Sequence, residues 1–244
     1  MTPASDKPVA LVTGAGTGLG RALALALARD GFSLALHYRS STEGALLTQS
    51  TIVDAGGEAA VFQADLSSEK EAESLAKSLS NRFGRLDVLV NNAGVYQECH
   101  GLELSEAAWF EGLNSTVTQT FFTTRSLLPL LRKSPLKRII NIGDSSCDRP
   151  SARDLAWSYH IGKTGVWMLT RSFAASEATH GVAVNMISPG FLENSLGELP
   201  SEGIPAGRPG AFQDVYAAVR FLALEAPTYL SGSNFMVSGG WNLR

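Results

Sequence analysis

Thr13-Gly14-Ala15-Gly16-Thr17-Gly18-Leu19-Gly20 is the stretch that decides the fold. The apolar run Val9–Thr13 leads into it, and Arg21–Ala28 leads out of it. A buried strand, a glycine-rich turn and a helix, in that order, open a βαβ unit that binds a dinucleotide. Gly14 permits the tight turn, Gly18 lets the backbone approach a pyrophosphate, and Gly20 allows close helix packing. Thr17 and Leu19 stand between these glycines, and the helix N-terminus offers amides and a favourable dipole to the phosphates. Arg21–Ala28 reads RALALALA, a period of two that mimics a strand. Alanine and leucine are strong helix formers, so after a glycine turn the segment is expected to be the first helix.

Outward from this unit, apolar runs recur at Ser33–Tyr38, Ala59–Ala64, Leu86–Val90, Arg138–Ile142, Ala183–Ile187 and Asn234–Val237. Near-continuous apolar strands belong to a parallel sheet covered on both faces. The segments between them are long enough for crossover helices, which predicts an α/β fold: one doubly wound, Rossmann-type sheet of seven strands in a single domain, 1–244. A helix is expected from about Leu113, its end bracketed by Pro129 and Pro135. Pro189, Pro200, Pro205 and Pro209 mark a loop before a helix over Ala211–Leu224.

Composition narrows the function. Hydrophobic residues make up 44% of 244 and charged residues 18%, enough for a sizeable core and too apolar for disorder. The net charge of −3 with scattered basic residues argues against nucleic acid or an anionic membrane as partner. No run approaches the roughly 20 apolar residues of a membrane span. Met1–Lys7 is short and polar, without a signal-peptide core, so the cytoplasm is the expected compartment. The two cysteines, Cys99 and Cys147, make no disulfide framework. His37, His100, His160 and His180 share no ligand spacing, so no metal site is expected.

The end of the second strand reads Leu36-His37-Tyr38-Arg39-Ser40-Ser41 and carries no carboxylate for a ribose hydroxyl. Arg39 can pair with a 2′-phosphate and Ser40 or Ser41 can add a hydroxyl, which points to NADP(H). Tyr159-His160-Ile161-Gly162-Lys163 opens a later helix, and the i, i+4 spacing puts phenol and ammonium on one face. A tyrosine titrates near 10 by itself, and a neighbouring Lys⁺ is expected to lower that value and make the phenol an acid–base group.

Together these motifs resemble the short-chain dehydrogenase/reductase family over essentially the whole chain. The matching pieces are TGAGTGLG (13–20), Asp65 in ADL, NNAG (91–94), Asn114, RIINIG (138–143), YHIGK (159–163), SPG (188–190) and SGGW (238–241). The resemblance implies that Asp65, followed by Leu66, bonds the adenine. It places Asn91, Ala93 and Gly94 along the cofactor cleft, with Asn91 also steadying the central strands. Lys163 would bond the nicotinamide ribose as well as tune Tyr159, and Asn114 would hold a water that relays protons. Pro189 and Gly190 would lie against the nicotinamide, with Phe191 beside the substrate.

The family's substrate-orienting serine is harder to place. Counting back from Tyr159 by the usual spacing gives Ser146, whereas strand register gives Asp144, with Ser145 between them. Aspartate at this position resembles the pteridine reductases, as do HYRSS (37–41) and Tyr96, which falls where they stack an aromatic on the pterin. Thr17-Gly18 in the turn instead resembles 3-oxoacyl and carbonyl reductases. The loop from Phe191 to Arg208 is shorter than the usual substrate lid, which implies an open site. The expected activity is therefore NADPH-dependent reduction of a small-molecule carbonyl, with a pterin-like substrate as the alternative. A dinucleotide sensor that lost the chemistry is a further alternative, which the intact tyrosine, lysine and asparagine disfavour. The family commonly forms homotetramers through helices near 113–133 and 157–178, so a tetramer or dimer is expected, with Trp157, Trp167 and Met168 as candidate contacts.

Overall fold

Every apolar run becomes a strand, and all seven strands join one parallel sheet. The computed structural model describes residues 7–195 and 203–241. The strands are β1 (Val9–Val12), β2 (Ser33–Tyr38), β3 (Ala59–Gln63), β4 (Val88–Asn91), β5 (Arg138–Ile142), β6 (Ala183–Pro189) and β7 (Asn234–Val237). Their order across the sheet is β3-β2-β1-β4-β5-β6-β7, and each neighbouring pair is parallel. The helices are α1 (Gly18–Arg29), α2 (Thr42–Asp54), α3 (Glu69–Phe83), α4 (Glu106–Leu113), α5 (Gln119–Leu131), α6 (Trp157–Glu177) and α7 (Phe212–Arg220).

Alternation along the strands feeds two cores. Ala10 and Val12 face α1, α2 and α7, while Val9 and Leu11 face α3, α5 and α6. Both faces are therefore apolar, and the strands read as continuous hydrophobic runs for that reason. Strand order reverses between β1 and β4, the point where an open α/β sheet leaves a crevice beyond its carboxyl ends. Among the described residues no helix is long and apolar enough to cross a membrane.

Three boundaries differ from expectation. The helix expected from Leu113 begins at Glu106 and passes through a π-helical turn, Asn114–Thr118, before continuing as α5. Pro129 lies inside α5, which runs on to Leu131. A proline in the last turn costs one backbone bond, and burial of Leu127, Leu128 and Leu131 holds the turn in place. The helix expected over Ala211–Leu224 ends at Arg220 and finishes in a second π-helical turn, Phe221–Glu225.

Two glycines set the distance between α6 and the π turn. A Cβ on Gly112 would lie 2.1 Å from the Ser158 hydroxyl, and one on Gly162 would lie 1.9 Å from the Thr116 hydroxyl. The close approach brings the start of α6 against the chain just after Leu113.

His37 pins the glycine turn to the sheet. It is 2% exposed; its Nδ1 accepts from the Gly14 amide at 3.3 Å and its Nε2 lies 3.0 Å from the Ala64 carbonyl. Burial lowers its pKa from 6.5 to about 4. The folded state thus refuses a proton that the unfolded chain takes up near pH 6.5. The stability from neutral His37 is complete above that pH and lost as pH falls towards 4, on the order of 3 kcal/mol. Thermal melts of His37→Gln should show a flatter pH dependence between pH 6.5 and 4 than the parent protein; parallel curves would remove His37 from this role.

Candidate active site

A cleft of about 670 Å³ runs across the carboxyl ends of the strands, from the glycine turn to Trp241. At its glycine-turn end, Thr13 closes β1 onto β4. Its amide donates to the Val90 carbonyl at 3.0 Å, and its hydroxyl accepts from the Asn92 and Ala93 amides at 2.9 and 3.0 Å. The turn that follows needs glycine three times. Gly14 and Gly18 sit at φ +66° and +51°, and a Cβ on Gly20 would lie 2.2 Å from the Gly14 carbonyl oxygen. The N-cap of α1, Thr17, makes no side-chain capping bond, whereas Ser68 and Ser105 cap α3 and α4 with theirs. The first amides of α1 have no side-chain cap where the helix opens on the cleft, an arrangement suited to a phosphate. The residues present therefore fit a dinucleotide.

Most sequence-predicted cofactor residues line this cleft: Gly14, Thr17, Gly18, Leu19, Gly20, His37, Tyr38, Arg39, Ser40, Ser41, Leu66, Ala93, Gly94, Pro189 and Gly190. Two do not. The Asp65 carboxylate is turned into its own loop, accepting from the Ser67 amide and hydroxyl at 3.0 and 2.7 Å. Asn91 is buried between strands, donating to Asn141 Oδ1 at 2.8 Å and Thr124 Oγ1 at 3.1 Å, and Asn92 lines the cleft in its place. Arg39 is engaged: its guanidinium donates to the two carboxylate oxygens of Glu111 at 2.7 and 3.4 Å.

At the other end, Ala156 adopts the left-handed conformation, φ +52°, and turns the chain into α6. The strain of a non-glycine residue there is held by hydrogen bonds from its amide to Cys99 O and from the His160 amide to its carbonyl. One turn on, Tyr159 and Lys163 enter the cleft. Lys163 is 4% exposed; its ammonium donates to the Ile142 carbonyl at 2.6 Å and lies 5.6 Å from the centroid of the Tyr159 ring. Asp144 caps a short 3₁₀ turn, Ser145–Cys147, its Oδ1 accepting from the Ser146 amide and hydroxyl at 2.8 and 2.5 Å. Of the three candidates for the serine position, Asp144 is the one whose charge and hydrogen bonding act on the phenol. The Ser146 hydroxyl turns to Asp144 and to His160 Nδ1, 3.3 Å away, and Ser145 is buried. Tyr96 meets the Tyr159 ring edge-on at 5.2 Å, and Phe191 meets Trp241 likewise at 5.3 Å.

The electrostatics reverse one expectation. Burial, and next the negative charge of Asp144, hold the Tyr159 phenol well above 10, so Lys163 does not prevail. Burial also lowers the Lys163 ammonium, against the pull of Asp144. A phenol held this high is protonated throughout the neutral range and can give a proton.

Asn114 opens the π turn, and the next residue, Ser115, lines the cleft together with Gln119. The Ser115 hydroxyl accepts from the Val95 amide at 3.2 Å, and Gln119 donates to the carbonyls of Ala93 and Ser115. A Cβ on Gly94 would touch both Lys163 Nζ and the Ser115 carbonyl, at 3.5 and 3.6 Å, so ammonium and carbonyl share one wall. Arg153 and Trp241 also line the cleft unpredicted. Asp144, Cys147 and His160, which no local spacing joins, bring ligand atoms within 4.8 Å of one another. The loop expected over Phe191–Arg208 falls partly outside the described residues.

A doubly wound parallel sheet with a glycine cradle at its switch point and an acid–base cluster at the far end defines a dinucleotide-dependent oxidoreductase. The sequence pattern of the short chain dehydrogenase family matches residues 8–200, and the chain belongs to that family. It is 36% identical over 238 residues to a 3-oxoacyl-(acyl-carrier-protein) reductase of Synechocystis sp., covering 95% of this chain and 96% of that protein. It is 31% identical over 239 residues to the Staphylococcus aureus protein described by the same activity, covering 95% and 96%. Among solved structures, a putative gluconate dehydrogenase from Agrobacterium tumefaciens superposes with a TM-score of 0.87 at 30% identity, covering 96% of this chain and 95% of that one. Acetoin dehydrogenase from Enterobacter cloacae gives 0.84 at 28%, covering 97% and 96%.

The Gly20 contact is testable by itself. Gly20→Ala drives a methyl group into backbone and should cost about 1–3 kcal/mol, a fall in thermal midpoint of at least about 2 °C. An unchanged midpoint would mean that the turn is looser than described.

Proposed function

We propose that this protein is an NADPH-dependent carbonyl reductase of the 3-oxoacyl type. The observation that carries the reading is the Tyr159–Lys163 pair, its lysine buried, beside Asp144, in a cleft whose other end is the uncapped glycine turn. The turn holds the pyrophosphate, Arg39 with Ser40 or Ser41 holds the 2′-phosphate, Lys163 holds the nicotinamide ribose, and Pro189-Gly190 backs the ring. When bound, NADPH supplies the hydride to the carbonyl carbon. Tyr159 gives its proton to the carbonyl oxygen. Lys163 and the wall around Asn114 and Ser115 return a proton to the phenol from solvent. The Ser146 hydroxyl can donate a hydrogen bond to the same oxygen; Asp144, as the carboxylate that raises Tyr159, can only accept, and donates only in its acid form. The two relatives described as 3-oxoacyl reductases support this substrate class. Tyr96 and Asp144 in the cleft support the pterin-like alternative, so a panel of 3-oxoacyl thioesters, ketones and dihydropteridines decides between them. Phe110, Ile161 and Met168 are exposed on α4 and α6, which supports a dimer or tetramer built on these helices.

Arg39 must exchange Glu111 for phosphate. Their ion pair is 43% and 29% exposed, so it is worth at most about 1 kcal/mol. A charge-assisted phosphate contact is worth about 1.5–3 kcal/mol, so the exchange is favourable. Arg39→Ala should weaken NADPH binding by roughly ten- to a hundredfold and leave NADH nearly unchanged; equal losses would sink the NADP(H) assignment.

Tyr159→Phe removes one oxygen from the cleft. Turnover should fall by about 10²–10⁴-fold with NADPH affinity nearly intact; unchanged turnover with the best substrate would refute the mechanism. Asp144→Ala and Ser146→Ala then compete, and the variant that loses more turnover with cofactor binding intact names the orienting donor.

A further inference from the structure

Cys147 has no part in the reaction proposed above, yet it lies against it. The 3₁₀ turn Ser145–Cys147 repeats every three residues, so Asp144 and Cys147 project from the same side. His160, in the first turn of α6, completes the group from a second element. Its Nδ1 is 3.6 Å from Cys147 Sγ, and one ligand atom from each of the three residues falls within 4.8 Å of the others. Zinc bonds thiolate at about 2.3 Å and imidazole at about 2.0–2.1 Å, and a tetrahedral angle between them sets sulfur and nitrogen about 3.5 Å apart. The sulfur–nitrogen spacing seen here needs almost no movement, and the Asp144 carboxylate, within 4.8 Å of both, closes on the ion by a side-chain rotation. Magnesium and calcium call for sets of oxygen ligands, and one carboxylate does not make one.

We propose that Asp144, Cys147 and His160 form a binding site for a thiophilic divalent cation of the Zn²⁺ class. A carboxylate and a thiolate neutralise the dication, and a neutral imidazole completes the three, so the half-buried complex carries no net charge. The thiol proton leaves to solvent as the metal binds. Cys147 is 2% exposed and forms the back of the site, while Asp144 and His160 line the cleft, so the fourth position opens on the substrate end. Occupancy draws Asp144 away from Tyr159. On the reading of Asp144 as substrate-orienting donor, the cation is a reversible inhibitor of reduction.

Metal-stripped protein titrated with Co²⁺ should develop a thiolate-to-cobalt charge-transfer band and the visible bands of a tetrahedral site, and Zn²⁺ should bleach both. Calorimetry should give one Zn²⁺ per chain, with affinity reduced about a hundredfold in Cys147→Ala. Inhibition by Zn²⁺, measured against each protein's own metal-free rate, should be lost in that variant. His160→Gln provides the same comparison should Cys147→Ala fail to fold. A cobalt adduct without the thiolate band, or Zn²⁺ affinity unchanged in the folded variants, overturns the site. Zinc binding with the thiolate band but without inhibition supports the site and overturns the role given to Asp144.

Discussion

The Lys163 ammonium donates to the carbonyl of Ile142 at 2.6 Å, buried where β5 ends and α6 begins. Taking such a charge out of water costs several kcal/mol unless partners offset it. The partners here are a strand-end carbonyl and the negative charge of Asp144. Much else follows from meeting that demand. Gly112 and Gly162 let α6 approach the π turn, Ala156 accepts a left-handed backbone, and Gly94 leaves room for the ammonium beside the Ser115 carbonyl. A bulkier residue at any of these glycines would push Lys163 away from the strand end on which its burial depends.

The two ends of the cleft are built by different physics. The glycine-turn end is backbone: Thr13 clamps β1 to β4, His37 clamps the turn to β2, and the start of α1 has no side-chain cap. Its side chains matter less than the absence of side chains at Gly14 and Gly20. The catalytic end is made of charges and rings held out of water, where each group shifts its neighbours. Asp144 raises the Tyr159 phenol and opposes the lowering of the Lys163 ammonium. Burial pushes the Cys147 thiol up to about 11. The upward shift keeps the Tyr159 phenol protonated and makes it a weaker acid than a free tyrosine.

Periodicity made the sheet legible in the sequence, because a strand covered on both faces reads as an unbroken apolar run. The glycine turn was legible because few residues tolerate its backbone. Helix interruptions were not: the π turn at Asn114–Thr118 places Ser115 in the cleft wall, and nothing in NSTVT announces it. Tertiary ion pairs were equally hidden. Arg39 reads as a free phosphate ligand until Glu111, distant in sequence, is seen beside it. Asp65 and Asn91 carry family motifs, yet one bonds its own loop and the other its neighbouring strand. The Asp144–Cys147–His160 group escaped for the same reason, since its ligands come from two elements and no local spacing joins them.

Hydride transfer from NADPH to a carbonyl carbon is followed with NADPH carrying deuterium on the transferring carbon of the nicotinamide, a 3-oxoacyl thioester as acceptor and mass spectrometry of the product. One deuterium is expected on the carbinol carbon, delivered to a single face of the carbonyl. Tight NADPH binding with no deuterium transferred to any carbonyl or pterin acceptor would contradict it and leave a dinucleotide-binding protein without this chemistry.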